Sequence, residues 1–330
     1  MPTVTLANSK QYEATPGTSL LDAALSAGLV LEHSCKTGRC SSCKARVVSG
    51  RTERLRPEEV LGAIDVEQGW ILTCARAAVD DVALDIEDLG DLADYPARTW
   101  PARIQQIERV LDDVVKVTLR LPPTAKLRYL PGQYINVLGP DGLKRAYSIA
   151  NAAPGPTGPV ELHIRAVQGG AMSAYWFGRA QVNDLVRLHG PLGTFFLRDA
   201  AGEQVVFLAT GTGIAPVKAM LEQLTATPEQ QRPASITVYW GCRHPQEHYW
   251  VPNDEGLPVR FVPVASRPQE DWTGARGHVQ NVFMADAPDL SRTWVYACGS
   301  NDMIESAQRQ LLAAGLPARR FHSDAFVVSG

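Results

Sequence analysis

The apolar and polar positions of the first ninety residues show two patterns, one typical of β-strands and one typical of a helix. Apolar residues alternate with polar ones, as in half-buried strands, at residues 3–6, 11–14, 44–48, 70–74 and 82–86. After the second of these runs, Thr18 or Ser19 is placed to cap an apolar helix that extends through Leu25. The pattern predicts a small mixed sheet packed against one helix.

Two further patterns of secondary structure follow along the chain. Short β-rich runs separated by turn residues, at 114–120, 133–137, 146–150, 160–167 and 185–188, predict an antiparallel barrel. Beyond Pro191, strand runs alternate with helical ones, which predicts a doubly wound parallel sheet. Residues 98–102 and 154–159 are interpreted as linker or loop stretches. We therefore predict a multidomain α+β and α/β protein with modules at residues 1–94, 95–200 and 201–330.

The composition narrows the class of protein. The chain has 330 residues, of which 45% are hydrophobic and 20% are charged, as expected for a folded globular protein. Its net charge of -3 provides no polybasic surface, so nucleic acid is not expected as a partner. Lys10, Glu13 and Asp22 interrupt any signal peptide, and no apolar run reaches membrane-spanning length. We expect a cytoplasmic protein that does not bind membranes.

Residues 80–94 form an acidic run that contains no Lys or Arg. One interpretation makes this acidic run an electrostatic docking face for a partner protein. The other, which we favour, makes it a solvated edge and linker. The first module boundary is predicted near its end.

Four of the six cysteines lie in the first quarter of the chain, which favours ligands over disulfides. Three of them follow a C-x4-C-x2-C pattern and the fourth comes after thirty intervening residues, which is the spacing of plant-type 2Fe-2S proteins. Zinc sites prefer paired C-x2-C motifs, and only one such pair is present here. The predicted cluster ligands are Cys35, Cys40, Cys43 and Cys74.

A short predicted strand of the barrel combines a cation, an aromatic ring and a hydroxyl. Arg145 and Tyr147 alternate along it and face the same side, followed by Ser148. The guanidinium suits a pyrophosphate, the ring suits a flavin or ribose, and the hydroxyl suits the flavin nitrogen that accepts a hydride. Taken singly, Arg145 and two further residues of the barrel, His163 and Arg165, are also compatible with surface side chains of an ordinary barrel.

A second phosphate site is predicted on the same barrel. His163 and Arg165 lie on one strand, which leads into a glycine turn and a predicted helix start. Two phosphate sites on one barrel indicate a dinucleotide, and we predict FAD. The residues of the turn assigned to it are Gly169, Gly170, Met172 and Ser173.

The third module carries a glycine loop, Gly211, Thr212 and Gly213, directly after an apolar strand and before a helix. Its glycines are predicted to let a pyrophosphate approach the helix terminus, although the loop departs from the G-x-G-x-x-G pattern. Cys298, at a predicted strand end, either lines the nicotinamide pocket or is a buried core residue. Arg243 suits either the 2'-phosphate of NADPH or the adenine of NADH, so the sequence leaves the nucleotide open.

Together these motifs resemble the ferredoxin-NADP reductase superfamily in its three-domain form, and the resemblance spans the whole chain. The segments LRLPPTAK (119–126), YLPGQYI (129–135), YSIAN (147–151) and FHSDAF (321–326) are similar to the CDP-6-deoxy-glucoseen reductase family within it. The resemblance implies a β-grasp 2Fe-2S ferredoxin domain, an FAD-binding antiparallel β-barrel and an NAD-binding domain. It places Ser148 by flavin N5 and Cys298 beside the nicotinamide, with Phe326 as a candidate to stack on the flavin.

The resemblance also implies an oxidoreductase that takes electrons from NADH. A hydride carries two electrons whereas a 2Fe-2S centre accepts one, so FAD is expected between them. The implied acceptor is a partner protein: a pyridoxamine-dependent sugar dehydrase or, alternatively, an oxygenase component. A redox sensor that keeps the cofactors without turnover is a third hypothesis.

Overall fold

The computed structural model describes residues 1–152, 155, 158–252 and 256–326. Backbone contacts divide the chain into two units. The first unit consists of Met1–Pro96, Gly193–Phe195 and the residues from Ser323 onward, and the second of Ala97–Leu192 and Phe196–His322. Within the described ranges, no helix combines the length and the apolar character needed to cross a lipid bilayer.

The first unit contains a mixed sheet and a short apolar helix. Parallel pairing of β1 with β7 and antiparallel pairing of the other neighbours give the order β2-β1-β7-β3-β5. Ser19 caps α1 by accepting a hydrogen bond from the amide of Asp22, as the sequence predicts. The elements are β1 (Thr3–Leu6), β2 (Gln11–Glu13), α1 (Leu20–Ser26), β3 (Lys44–Ser49), β4 (Thr52–Arg54), α2 (Ala63–Glu67), β5 (Trp70–Leu72), β6 (Arg76–Ala78) and β7 (Val82–Asp85).

The acidic run has partners inside the first unit. A carboxylate oxygen of Asp80 lies 2.7 Å from the Arg51 guanidinium. Asp88 accepts hydrogen bonds from the backbone amide of Val30, at 2.7 Å, and from the ammonium of Lys10, at 2.6 Å. These carboxylates therefore join distant segments of the unit, which gives part of the acidic run a structural role.

The barrel occupies the first half of the second unit, and its neighbouring strands all pair antiparallel. Their order is β11-β10-β13-β8-β9-β12, and a bridge between Ile149 and Leu162 joins the two ends. The predicted antiparallel barrel is thus confirmed. The elements are β8 (Arg98–Leu111), β9 (Val114–Arg120), β10 (Tyr134–Leu138), β11 (Lys144–Ser148), β12 (Val160–Arg165), α3 (Ala171–Ala174) and β13 (Leu185–Leu192).

The prediction of a linker at residues 98–102 is wrong. These residues begin β8 and pair with β13, and Ala102 is buried. Pro101 lacks an N–H group, which suggests a break in the strand. It nevertheless lies within the pairing of β8 with β13, opposite Arg187. In the other predicted loop, residues 154, 156 and 157 lie outside the described residues.

The second half of this unit is the predicted parallel sheet, with order β17-β16-β15-β14-β18 and helices between the strands. Trp240, Tyr239, Tyr296 and Phe207 are among its fully buried side chains. The short α5 and β17 have no counterpart in the sequence prediction. The elements are β14 (Gln204–Thr210), α4 (Ile214–Ala226), β15 (Ser235–Cys242), β16 (Arg260–Ala265), β17 (Ala275–Arg276), α5 (Val279–Ala285), β18 (Thr293–Gly299) and α6 (Asn301–Ala313). The last strand, β19 (Phe321–Ala325), begins in the second unit, and its residues from Ser323 onward belong to the first.

Candidate functional site

The four clustered cysteines of the first unit meet in two pairs. The cysteine loop, residues 35–43, connects α1 to β3 and carries three of them, while Cys74 follows β5. The sulfur atoms of Cys35 and Cys40 are 3.1 Å apart, and those of Cys43 and Cys74 are 3.3 Å apart. All but Cys35 are buried. The fold therefore brings the distant fourth thiol to the loop, as the spacing predicts.

The backbone of the cysteine loop requires a glycine at one point. Gly38 has a φ of +81°, and a Cβ atom there would lie 2.3 Å from the carbonyl oxygen of Pro57. Beside it, Ser41 is buried, and within the described ranges its hydroxyl has no hydrogen-bond partner. A buried hydroxyl of this kind is a donor that fits an acceptor group bound in the loop.

The thiols within each pair polarise one another. The hydrogen bond from Cys40 lowers the pKa of Cys35 to about 5, and the same bond raises the pKa of Cys40. In the second pair the hydrogen bond raises the pKa of Cys43 and lowers that of Cys74. In each pair the hydrogen bond therefore makes one thiol easier to ionise, and cysteine binds metal as the thiolate.

The arrangement of donors distinguishes a binuclear centre from a single metal ion. In the part of the chain that the structure describes, no three His, Cys, Asp or Glu side chains are grouped around one metal position. The two thiol pairs would give two ligands to each iron of a binuclear centre, whereas a structural zinc needs four ligands around one point. The residues present therefore fit a 2Fe-2S cluster.

In the second unit, β11 presents the predicted cation and aromatic ring on one side. Arg145 and Tyr147 are half-buried, whereas Lys144 between the turn and Arg145 is exposed. The Tyr147 hydroxyl accepts a hydrogen bond from the indole N–H of Trp176 at 3.1 Å, and the two rings meet edge to face. Burial raises the pKa of Tyr147 to about 12, so its phenol stays neutral. Ser148, at the end of the strand, is buried.

The predicted glycine turn of the barrel lies directly before α3, at Gly169 and Gly170. The hydroxyl of Ser173 accepts a hydrogen bond from the amide of Val167 at 2.8 Å, which closes the turn. Met172 is buried in the barrel core. Ser173 and Met172 thus have packing roles, and their assignment to FAD stays a prediction.

His163 does not offer a free ring nitrogen to a phosphate. Its side chain is fully buried, with Nδ1 3.1 Å from the Tyr249 hydroxyl and Nε2 2.8 Å from a carboxylate oxygen of Glu161. Burial lowers the pKa of His163, which favours the neutral ring. Tyr249 follows β15 of the parallel sheet, so the imidazole connects the barrel to the nicotinamide module.

Arg165 also points toward the parallel sheet. Its guanidinium lies 3.1 Å from a carboxylate oxygen of Glu247 and 3.3 Å from one of Asp113. A Cβ atom added to Gly211 would lie 3.5 Å from the same guanidinium. Arg165 therefore lies beside the glycine loop, and its assignment to the FAD phosphates stays a prediction.

The glycine loop forms a tight turn between β14 and α4, and its last glycine is required by packing. A Cβ atom on Gly213 would lie 2.3 Å from the carbonyl oxygen of Cys298, at the end of β18. Gly211 has a φ of +53°, and its carbonyl accepts a hydrogen bond from the Trp240 indole at 2.8 Å. The physical reason for Gly213 is thus close approach of two strand ends, in addition to any ligand.

The remaining predicted site residues differ in burial. Cys298 is fully buried beside Gly213, as the buried-core interpretation expects, and its place in a nicotinamide pocket stays a prediction. Phe326 is the last described residue and keeps 38% of its surface exposed. Their catalytic roles stay predictions. Cys242 is buried, which raises the pKa of its thiol to about 12 and agrees with a structural residue.

Sequence reasoning missed a set of polar residues between the barrel and α4. Lys218 and Glu222 lie four residues apart on α4, and their side chains form an ion pair at 2.6 Å. Lys218 also contacts Glu161 of β12 at 3.2 Å. The i,i+4 spacing of opposite charges was a visible signal, but it is also typical of ordinary solvated helices.

Three protein-family profiles match successive parts of the chain. A 2Fe-2S iron-sulfur cluster binding domain matches residues 4–79. An oxidoreductase FAD-binding domain matches residues 101–197, and an oxidoreductase NAD-binding domain matches residues 207–309. The order of the three matches agrees with the order of modules predicted from the sequence.

Individual relatives extend over nearly the whole chain. The chain is 42% identical over 318 residues to the CDP-6-deoxy-L-threo-D-glycero-4-hexulose-3-dehydrase reductase of Yersinia pseudotuberculosis, covering 95% of this chain and 94% of that protein. It is 30% identical to the reductase component of the naphthalene 1,2-dioxygenase/salicylate 5-hydroxylase systems of a Ralstonia species, covering 96% of each. The ferredoxin reductase of carbazole 1,9a-dioxygenase has a similar fold, with a TM-score of 0.69, 23% identity and coverage of 99% and 98%.

Proposed function

Because the chain belongs to the 2Fe-2S iron-sulfur flavoprotein reductases of the ferredoxin-NADP reductase superfamily, we propose that its electron acceptor is a sugar dehydrase acting on a nucleotide-linked deoxyhexose. The enzyme is an NAD(P)H-dependent oxidoreductase that uses FAD and a 2Fe-2S cluster and passes electrons to a partner component. The observation that carries the proposed acceptor is 42% identity over 95% of the chain to a reductase named for such a dehydrase.

The cysteine loop and Cys74, which follows β5, are proposed to hold the cluster through the four paired thiols. Cys35 and Cys74 are the two thiols whose pKa is lowered by the hydrogen bond within each pair, which favours the thiolate form of the ligand. Ser41 is proposed to supply a donor to the inorganic part of the cluster, while Gly38 lets the loop backbone pass close to Pro57. When bound, the cluster supplies one-electron transfer to the partner.

The face of β11 is proposed to hold FAD. Arg145 supplies a fixed cation for the pyrophosphate, and the neutral ring of Tyr147 supplies a flat surface held in place by Trp176. Ser148 is proposed to orient the flavin nitrogen that receives the hydride. The glycine loop and Cys298 are proposed to receive the nicotinamide nucleotide at the carboxyl ends of β14 and β18.

The second candidate acceptor is the oxygenase component of a multicomponent oxygenase, which the 30% identity to a dioxygenase reductase supports. Both candidates use the same internal electron path, so only the docking partner differs. The cytoplasmic location predicted from the sequence suits either partner, and it is proposed here on that ground alone.

The acceptor is tested by following NADH oxidation in the presence of each purified partner. The expected result is NADH-dependent deoxygenation of the nucleotide sugar when a pyridoxamine-loaded dehydrase is supplied, with slow turnover of an oxygenase component and its aromatic substrate. Reduction of cytochrome c serves as the control for a working internal path. Rapid product formation with the oxygenase alone would instead support the second candidate.

A further inference from the structure

A cluster of polar side chains joins the barrel to the helix that follows the glycine loop. We call it the α4 clasp. It lies wholly within the second unit, and several of its side chains are largely withdrawn from solvent: the exposed fractions are 0% for His163, 13% for Lys218 and 27% for Glu161. Its members are Glu161, His163, Lys218, Glu222 and Tyr249.

Lys218 and Glu222 hold the backbone that follows β11. The Lys218 ammonium donates a hydrogen bond to the carbonyl of Ala150 at 3.1 Å. One helical turn further on, the Glu222 carboxylate accepts a hydrogen bond from the amide of Ala152 at 2.8 Å. The two side chains also bond to each other at 2.6 Å, so neither is free to leave alone.

Glu161 and His163 hold the same segment from the barrel side. The backbone carbonyl of Glu161 accepts a hydrogen bond from the amide of Ala150 at 2.8 Å. Its carboxylate lies 2.8 Å from His163 Nε2 and 3.2 Å from the Lys218 ammonium. On its other side the His163 ring contacts, through Nδ1, the hydroxyl of Tyr249, a residue that follows β15. Strand, helix and loop are therefore connected through one carboxylate.

The positions of these contacts along the chain give them a functional meaning. Ala150 comes two residues after Ser148, about 7 Å along an extended chain. Lys218 comes four residues after Ile214, the first residue of α4, about 6 Å along the helix. The clasp thus joins points that lie within about one helical turn of β11 and of the glycine loop.

Stability alone does not explain this choice of side chains. Burying charged groups is costly, and apolar residues of similar volume often stabilise a protein interior at least as well. What a satisfied polar cluster adds is one defined geometry, because each hydrogen bond restricts the others. The clasp is therefore better suited to fixing a distance than to holding the modules together by burial.

We infer that the α4 clasp sets the spacing between the flavin strand and the glycine loop, with Lys218 and His163 as positioning residues for hydride transfer. The inference rests on the proposed sites for FAD and nucleotide. In that transfer the C4–H bond of NADH breaks and a bond to flavin N5 forms, so NADH is oxidised and the flavin is reduced. The step requires reacting atoms about 3–3.5 Å apart, and a displacement of about 1 Å can cost up to about 100-fold in rate.

The test compares Lys218→Met, Lys218→Arg and the wild-type holoenzyme in anaerobic stopped-flow reduction of the flavin by NADH. Lys218→Met is expected to lower the limiting rate constant about tenfold and to change the deuterium isotope effect with 4-deuterated NADH. The Kd for NADH is expected to stay within about threefold of wild type, since the Lys218 side chain contacts Ala150, Glu161 and Glu222 and not the glycine loop proposed for the nucleotide. Lys218→Arg is expected to recover most of the rate.

Lys126→Met is the matched control, because Lys126 is an exposed lysine of the same unit and lies outside the clasp. His163→Gln and Glu222→Gln are measured alongside and replace Lys218→Met if that variant fails to fold. Limiting rates within twofold of wild type in all folded clasp variants would overturn the inference. So would a rate loss that is fully reversed by added FAD, since it would reflect cofactor loss. Absence of flavin reduction in the wild-type enzyme would instead contradict the proposed function.

Discussion

The cysteine loop and the glycine loop are both short connections with a motif, and their motifs have different physical origins. At the cysteine loop the fold brings thiols together in pairs, Cys35 with Cys40 and Cys43 with the distant Cys74, with sulfur atoms 3.1 and 3.3 Å apart. In the glycine loop, Gly213 is required because the carbonyl of Cys298 occupies the place of a side chain. The residues of a ligand motif therefore indicate directly which group is bound. The residues of a glycine motif indicate first that the backbone has no space for a side chain.

The two loops should consequently respond differently to substitution. Replacing a cysteine changes the atoms that contact the bound group, while the backbone of the loop stays possible. Replacing Gly213 changes the backbone itself, since the added carbon meets a carbonyl oxygen that cannot rotate away. The first change is expected to be confined to one cofactor, and the second to spread to strand packing.

The largest expected effect is loss of the cluster in Cys40→Ser. The hydroxyl is a poor replacement for a thiolate ligand, so iron and acid-labile sulfide are expected to fall to near zero. Reduction of the flavin by NADH is expected to persist, while cytochrome c reduction is expected to fall at least about 100-fold. Visible spectra and iron analysis provide the measurement.

The control for that experiment is Cys242→Ser, which replaces a buried cysteine outside the cysteine loop. It should keep the full complement of iron. Equal iron loss in both variants would contradict the assignment of ligands, and simultaneous loss of flavin reduction in Cys40→Ser would contradict independent modules.

The next effect concerns the glycine loop. Gly213→Ala is expected to destabilise the second unit by about 1–3 kcal/mol through overpacking, and to lower NADH oxidation by about tenfold or more. The matched control is Gly178→Ala, because a Cβ atom at Gly178 meets nothing within 4 Å. Thermal melting and steady-state NADH oxidation measure the two properties. A wild-type melting temperature in Gly213→Ala would show that the strand ends can separate without cost.

A smaller effect is expected on the flavin face of β11. Arg145→Ala removes the proposed charge-assisted hydrogen bonds to the pyrophosphate, and such bonds contribute about 1.5–3 kcal/mol each. The Kd for FAD is therefore expected to rise about tenfold or more, by titration of the apoprotein. Lys144→Ala, an exposed neighbour on the same strand, should leave it unchanged. Equal FAD binding in both variants would remove Arg145 from the site.

The smallest expected effect is a pH dependence from the α4 clasp. Burial by itself would raise the pKa of Glu161, but the hydrogen bond from His163 and the charge of Lys218 lower it to about 2. Because the folded pKa lies below the unfolded one, the stabilisation is present above about pH 4.5 and is lost as pH falls toward 2. The pKa of His163, which contacts Tyr249, is also lowered in the folded protein. As the pH falls, this histidine binds a proton more readily in the unfolded state, so its contribution to stability is also lost toward low pH.

Between pH 5 and pH 3, the wild-type protein is expected to lose about 1–2 kcal/mol more stability than Glu161→Gln. Denaturant titrations at the two pH values measure the difference. Parallel losses in both proteins would show that Glu161 does not carry this dependence.

Much of the fold was predictable because the hydrophobic periods differ between modules. Period-two runs predicted the barrel and the small mixed sheet, and the alternation of strands and helices predicted the parallel sheet. Failures occurred where tertiary pairing overrides local signals. Pro101 lies within β8 although it has no N–H to donate, and the seven-residue α5 is too short to show a clear helical period.

The residues of the candidate site were predictable to different extents. Cysteine spacing alone predicted four residues that the structure brings together, since few arrangements of thiolates satisfy a metal centre. His163 and Arg165 were predicted to belong to a phosphate site, which stays a prediction, and their observed partners, Glu161 and Glu247, were not predicted. A strand pattern gives the side to which a residue points and contains no information on which distant element covers that side.

The amino-acid sequence by itself therefore determined the chemistry of the cofactors and the order of the modules, because both depend on residue types at short spacings. Only the tertiary structure decided the pairing of the thiols, the steric need for Gly213 and the α4 clasp. These features depend on contacts between residues far apart in the chain, such as Lys218 with Ala150 or Gly213 with Cys298. Local patterns cannot encode such contacts, since they arise only when separate elements pack against one another.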